Sequence, residues 1–267
     1  MNPSAPAVGK WKVMVIPALR EASNLDMIDA CIADEGPNET IFLGNYFDEV
    51  VGDLAGEESA RRMARWLKRS VSQSRRIHLM GGRDLRYLFG DGCSSPGARD
   101  GGNGAREVAV RDVLGPMAHL NFHLTWWEGP WLFTHAGLSA ARLPEGLSAP
   151  HGVRRYLDGE LRAATRARRE GKPHWVWDWA NDSESAGGES GARRGEHGGI
   201  WTVRGVNQVF GGAGGDGDRV GGTASINHAF DTTNRVEGWV SYLLLYPDSN
   251  TMRSVRLNEI EAITDHD

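Results

Sequence analysis

Trp131-Leu132-Phe133-Thr134-His135-Ala136-Gly137-Leu138-Ser139 is the stretch on which the reading of this chain turns. An apolar run ends in a histidine followed by small residues, which is how a buried strand presents an imidazole at the rim of a sheet. Three upstream runs end in comparable turns. Lys12-Val13-Met14-Val15-Ile16 leads into Pro17-Ala18-Leu19-Arg20, and Ile41-Phe42-Leu43 leads into Gly44-Asn45-Tyr46-Phe47-Asp48. Ile77-His78-Leu79-Met80 leads into Gly81-Gly82-Arg83-Asp84.

Helical spacing fills the intervals. Leu25, Ile28 and Ile32 lie on one face of Ala22 to Ala33, with Ser23 or Asn24 at the N-cap. Glu57 to Ser70 has an inward stripe of Met63, Trp66 and Leu67, and a basic face of Arg61, Arg62, Arg65, Lys68 and Arg69. Strands alternating with helices define an α/β chain with a parallel sheet, whose strand ends share one ligand-binding rim. Residues 120–127 and 131–135 read as strands joined through Glu128-Gly129-Pro130, a hairpin turn. His151 to Gly171 reads as an arginine-rich helix. Further strands are expected at 206–210, 223–228, 237–246 and 251–257, the last two antiparallel and forming a second sheet. Gly90 to Ala105, Ser183 to Gly199 and Gly211 to Gly222 are glycine-dense loops.

Composition narrows the classes of function. The chain of 267 residues suffices for one large α/β domain or two small ones, and its net charge of −5 favours neither nucleic acid nor an anionic membrane surface. Cys31 and Cys93 are too few for a disulfide scaffold and suit a reducing, cytoplasmic setting. Met1 to Lys10 lack the apolar core of a signal peptide, and no apolar run approaches about 18 residues. His78, His119, His123, His151, His174, His197 and His228 do not form a metal-ligand spacing. His119 and His123 would share one sheet face without a third partner. The glycines at 211–222 lack the strand–loop–helix context of a phosphate-binding loop.

The four strand-end stretches, in this order, resemble the calcineurin-like metallophosphoesterases, most closely their phosphoprotein-phosphatase branch. The resemblance spans roughly residues 11–235. It implies a single domain over residues 1–267, an α/β sandwich of two mixed sheets flanked by helices (αββα). It also implies a helical, tryptophan-rich cap inserted at about 140–200.

The resemblance further implies a two-metal site, which needs carboxylates and imidazoles around two cations and a histidine to protonate the leaving group. Here the matching positions are changed. The family's first pair of ligands corresponds to Ala18 and Arg20, the bridging carboxylate to Asn45, and the asparagine ligand to Gly82. The leaving-group acid corresponds to Arg83 and a late histidine ligand to Gly212. His135 is kept. Asp48 matches the carboxylate that orients the catalytic histidine, and Arg204 matches an arginine that faces the substrate phosphate. Remaining catalytic candidates are His135, Asp48 and Asp84, and the chain is expected to hold no metal and no other cofactor.

Two readings of the arginines stay open. Arg20, Arg83 and Arg204 bind an anion where the metals would sit, since guanidinium pairs recognise phosphate or carboxylate. In the other reading, Glu21, Asp48, Glu49 and Asp84 neutralise Arg20 and Arg83 internally. The function implied is that of a catalytically degenerate phosphoesterase, not an enzyme, serving as a binding, scaffold or assembly protein. The alternative is an enzyme with a remodelled, metal-poor site acting on a phosphorylated or carboxylated substrate. The partners expected are another protein or a second copy, and a phosphate-containing small ligand, with neither nucleic acid nor membrane. Trp175, Trp177 and Trp179 would share one face of an extended segment, either buried under the cap or exposed as an interface.

Overall fold

Val13–Ile16 (β1) is four consecutive buried residues, as expected of a strand covered on both faces. The computed structural model describes residues 11–16, 19, 22–47, 54–82, 84–89, 104–116, 118–128, 131–135, 142–145, 147, 150–177, 201–204, 223–225, 239–247 and 251–258. Glu39–Phe42 (β2) and Arg76–His78 (β3) lie parallel to β1, and Trp239–Tyr246 (β8) lies antiparallel on its other side. Thr251–Asn258 (β9) completes a five-stranded sheet of order β3-β2-β1-β8-β9. A second sheet has the order β4-β5-β6-β7, built from Thr125–Glu128 (β4), Trp131–Thr134 (β5), Trp201–Arg204 (β6) and Thr223–Ser225 (β7). β4 and β5 are antiparallel, and β5, β6 and β7 are parallel. The chain is thus α/β, with two mixed sheets.

Five helices accompany these strands among the described residues: Leu25–Glu35 (α1), Leu54–Ser70 (α2), Asp84–Phe89 (α3), Gly104–Leu114 (α4) and Pro150–Arg169 (α5). None is long and apolar enough to cross a membrane. The inward stripe of α2 is buried at Met63, Trp66 and Leu67. Asn24 occupies the N-cap of α1 but makes no side-chain cap bond, and a 3₁₀ turn over Ala22–Asn24 leads into the helix instead. One buried cluster takes Met14, Ile41 and Leu244 from the first sheet, Phe133 from the second, and Val153 and Leu157 from α5.

Several expectations are corrected. β8 and β9 are antiparallel but belong to the first sheet. Tyr242, Leu243, Leu244 and Leu245 are all buried, so β8 is covered on both faces, as suits an interior strand of the first sheet with β1 and β9 paired to its two edges. The strand expected from residue 120 begins at Thr125. Ala118–Asn121 is a 3₁₀ turn, and His123 only bridges to Leu79, so His119 and His123 do not share a strand face. Residues 175–177 form a helical turn and are not extended. Trp177 is buried against Phe89, and the Trp175 indole N–H donates to Glu160 Oε2 at 2.5 Å. Helices α3 and α4 lie where the sequence offers no helical period. Both carry charged residues on buried faces (Asp84, Arg86, Arg106, Glu107), which hides the apolar period. The expected strand at 206–210, the glycine runs at 183–199 and 211–222, and Trp179 lie outside the described residues.

Candidate functional site

The parallel strands end level with one another. Ile16, Phe42 and His78 are in register at the end of β1, β2 and β3, while Thr134, Arg204 and Ser225 are in register at the end of β5, β6 and β7. The segments that leave β2, β3 and β5 then meet. His135, 2% exposed, lies one residue beyond β5, and its Nδ1–H donates to the carbonyl of Leu43 at 2.7 Å. A carbonyl can only accept, so Nδ1 carries the hydrogen, and in the neutral ring Nε2 carries the lone pair. This bond joins the rims of the two sheets.

Beyond Leu43 the chain turns through two left-handed residues, Gly44 at φ 91° and Asn45 at φ 57°. Only glycine adopts the first readily, and asparagine is among the few side chains that tolerate the second. The turn lies against the loop after β3 at backbone contact. A Cβ on Gly44 would sit 2.9 Å from Gly81 Cα, and one on Gly81 would sit 2.9 Å from Asn45 Cγ. Two glycines are therefore required where these loops cross.

Asp84 locks the crossing. It is fully buried, and its Oδ2 accepts the N–H groups of Asn45 at 2.7 Å and Gly81 at 2.8 Å, while its Oδ1 accepts the N–H of Tyr46 at 2.8 Å. Burial pushes its carboxyl up to about 6, against the main-chain N–H groups of Gly81, Tyr46, Asn45 and Phe47, which pull it down. At neutral pH the group is ionised, and these bonds are charge-assisted.

Beneath the crossing sits a polar chain that the sequence did not announce. His78 is 1% exposed, with Nε2 2.9 Å from Ser70 Oγ and Nδ1 3.1 Å from Tyr46 Oη. Its ring stacks on Phe42 at 4.5 Å between centroids. Burial, with Arg76 and His123 adding to it, lowers its pKa to about 3, so the ring is neutral. Burial also raises the Tyr46 phenol well above its usual range. A histidine in the strand sequence Arg76-Ile77-His78 is the one signal that marked this position beforehand.

The structure thus brings together Asn45, Asp84 and His135, with Gly82 next in sequence to the Gly81 that Asp84 holds and the backbone of Arg204 in register with Thr134. Ala18, Arg20, Asp48, Arg83 and Gly212 lie outside the described residues, as do Glu21 and Glu49. The donors among the described residues do not suit a two-metal centre. Asp84 has both oxygens committed to main-chain N–H groups, Asn45 offers a neutral amide, and His135 is one imidazole. Among the described residues, no group of three or more histidine, cysteine, aspartate or glutamate side chains is arranged to hold a metal ion. Cys31 is a free, buried thiol whose pKa burial raises to about 11, so it is no nucleophile at neutral pH. No protein-family model and no curated protein matches the chain.

Proposed function

We propose that this chain is a catalytically degenerate phosphoesterase: an αββα sandwich of metallophosphoesterase type, acting in the cytoplasm as a binding, scaffold or assembly protein. The observation that carries this reading is the use to which Asp84 is put. This carboxylate at the rim, one of the remaining catalytic candidates, accepts three main-chain N–H groups and has no exposed surface, so neither oxygen is open to a metal or a substrate. It fastens one loop to another. The neutral Asn45 amide beside it supports the same view, because two cations need anionic ligands around them. The two sheets ending level at one rim, joined through His135 and Leu43, support the fold assigned.

Arg20, Arg83 and Arg204 are proposed to hold an anion at this rim, fixed guanidiniums standing where metal cations would. The test has two parts. After loading with manganese, zinc or iron, elemental analysis should find less than about one metal per chain, and hydrolysis of p-nitrophenyl phosphate should stay at background. Two metals per chain with turnover would overturn the proposal. Inorganic phosphate should raise the melting temperature by mass action, and Arg83→Ala should abolish the rise. An equal rise in that variant would move the anion elsewhere.

A further inference from the structure

Helix α5 presents an unusual surface. Its exposed residues are His151, Arg155, Arg162, Arg166 and Arg169, all of them basic. At about 100° per residue these five positions fall within roughly 60° of arc, and the four arginines extend about 21 Å along the axis. The opposite face is core, with Val153, Leu157 and Ala164 buried. Gly159 flanks one edge of the stripe with open space above it, and Asp158 flanks the other edge, turned to Arg154.

The arginines of α2 provide a contrast within the same chain. Arg61, Arg62 and Arg65 each pair with a carboxylate, from Glu57, Asp26 and Glu58 respectively. On α5, Arg154 is also engaged, close over the Trp126 ring at 3.9 Å and 3.9 Å from Asp158. Glu160, the other acid of α5, accepts from the Trp175 indole. No such ion pair is formed by Arg155, Arg162, Arg166 or Arg169 among the described residues. Like charges three and four residues apart repel along a helix, by about 0.2–0.5 kcal/mol per pair. The stripe therefore carries a cost that carboxylates from outside would relieve.

At its N-terminal end the stripe runs into a surface groove of about 500 Å³, lined by Pro144, Glu145, Leu147, Gly152, Arg155 and Tyr156. Leu147 and Tyr156 also pack against the core, so the groove floor is apolar and anchored. We infer that this face of α5 docks an acidic segment of a partner protein, one apolar side chain of the segment entering the groove and its carboxylates lying along Arg155 to Arg169. Glu145 sets the direction, since it turns acidic residues away from the groove end. The net charge of −5 works against a long polyanion such as nucleic acid, whereas a short acidic segment needs only the local field of the stripe. The inference is independent of whether the rim near His135 is inert.

Fluorescence anisotropy with a labelled synthetic peptide of about sixteen residues tests it, the peptide carrying one leucine followed by glutamates at the arginine spacing. The full chain should bind this peptide, and raising salt from about 50 to about 300 mM should weaken binding severalfold. Arg162→Gln with Arg166→Gln should weaken it about tenfold or more, and Leu147→Ser should weaken it with the arginines intact. Arg62→Gln with Arg65→Gln, on α2, should leave it unchanged. Unaltered melting temperatures of the exposed variants would exclude unfolding as the cause. Absence of binding, equal binding of a peptide with glutamine for glutamate, or tighter binding of a labelled oligonucleotide would each overturn the inference. None of these results bears on metal content or phosphate ester hydrolysis, which test the rim separately.

Discussion

Replacing Asp84 by asparagine changes one atom of the side chain and removes its charge, which isolates its role as the fastening between two loops. The carboxylate accepts N–H groups from Asn45, Tyr46 and Gly81 at 2.7, 2.8 and 2.8 Å with no solvent access. If the amide oxygen takes the place of Oδ2, the bonds from Asn45 and Gly81 survive as neutral ones. The new NH₂ then faces the Tyr46 N–H, donor against donor. A buried donor left without an acceptor costs about 1–3 kcal/mol, and loss of charge assistance weakens each surviving bond by up to about 1 kcal/mol. Relief from burying a charge, the same burial that raises this carboxyl, offsets part of that loss. That relief is worth about 3 kcal/mol for a carboxyl raised from 3.8 to about 6, so the asparagine variant is expected to lose no more than about 1 kcal/mol, whereas Asp84→Ala, which orphans all three donors, should lose roughly 2–3 kcal/mol or more. Domains of this size are stable by only about 5–15 kcal/mol, so the loss in the alanine variant is readily measured. Urea unfolding at pH 7.5, followed by tryptophan fluorescence, supplies the value. Amide exchange at Asn45, Tyr46 and Gly81 should accelerate while that of Ile41, inside β2, does not. A loss below about 0.5 kcal/mol in Asp84→Ala, the scatter of ordinary surface substitutions, would refute the fastening role.

Two further outcomes are expected. Gly81→Ala should destabilise the fold by about 2 kcal/mol or more, because its Cβ would press on the amide and backbone of Asn45; a neutral result in urea unfolding would mean that the crossing loops are not in contact. His78 should make the fold acid-sensitive. Its folded pKa, about 3, lies below the ordinary histidine value of 6.5, so its stabilisation is full above pH 6.5 and is lost as pH falls toward 3. At pH 5.5 about 1.4 kcal/mol should be gone relative to pH 8. Asp84, raised in the folded state to about 6 from 3.8, works in the opposite direction, gaining stability as pH falls through that window. The wild type must therefore be compared with His78→Gln across pH, and parallel stability curves for the two would exclude the histidine as the cause.

By itself, the sequence determined the local structure wherever apolar period and length were unambiguous. The runs 13–16, 39–42, 76–78 and 131–134 could be little but buried strands, and the stripe of Met63, Trp66 and Leu67 could serve only a helix facing a core. It also put His135 at a strand end and Asn45 in a turn, because strand periodicity stops there and glycine follows or precedes. Helices α3 and α4 escaped notice because Asp84, Arg86, Arg106 and Glu107 are charged yet buried, and no local pattern tells a charge inside from a charge outside. The seat of β8 escaped as well. An antiparallel pair with β9 is a local matter of two adjacent strands, but the choice of neighbour on the other side depended on which edge of β1 was left open, more than 200 residues away in the chain. The role of Asp84 was decided at the same level. An aspartate after Gly-Gly-Arg reads equally as ligand, base or salt-bridge partner. Only when the turn after β2 folds against the loop after β3 do three N–H groups converge on it, and only burial makes those bonds matter.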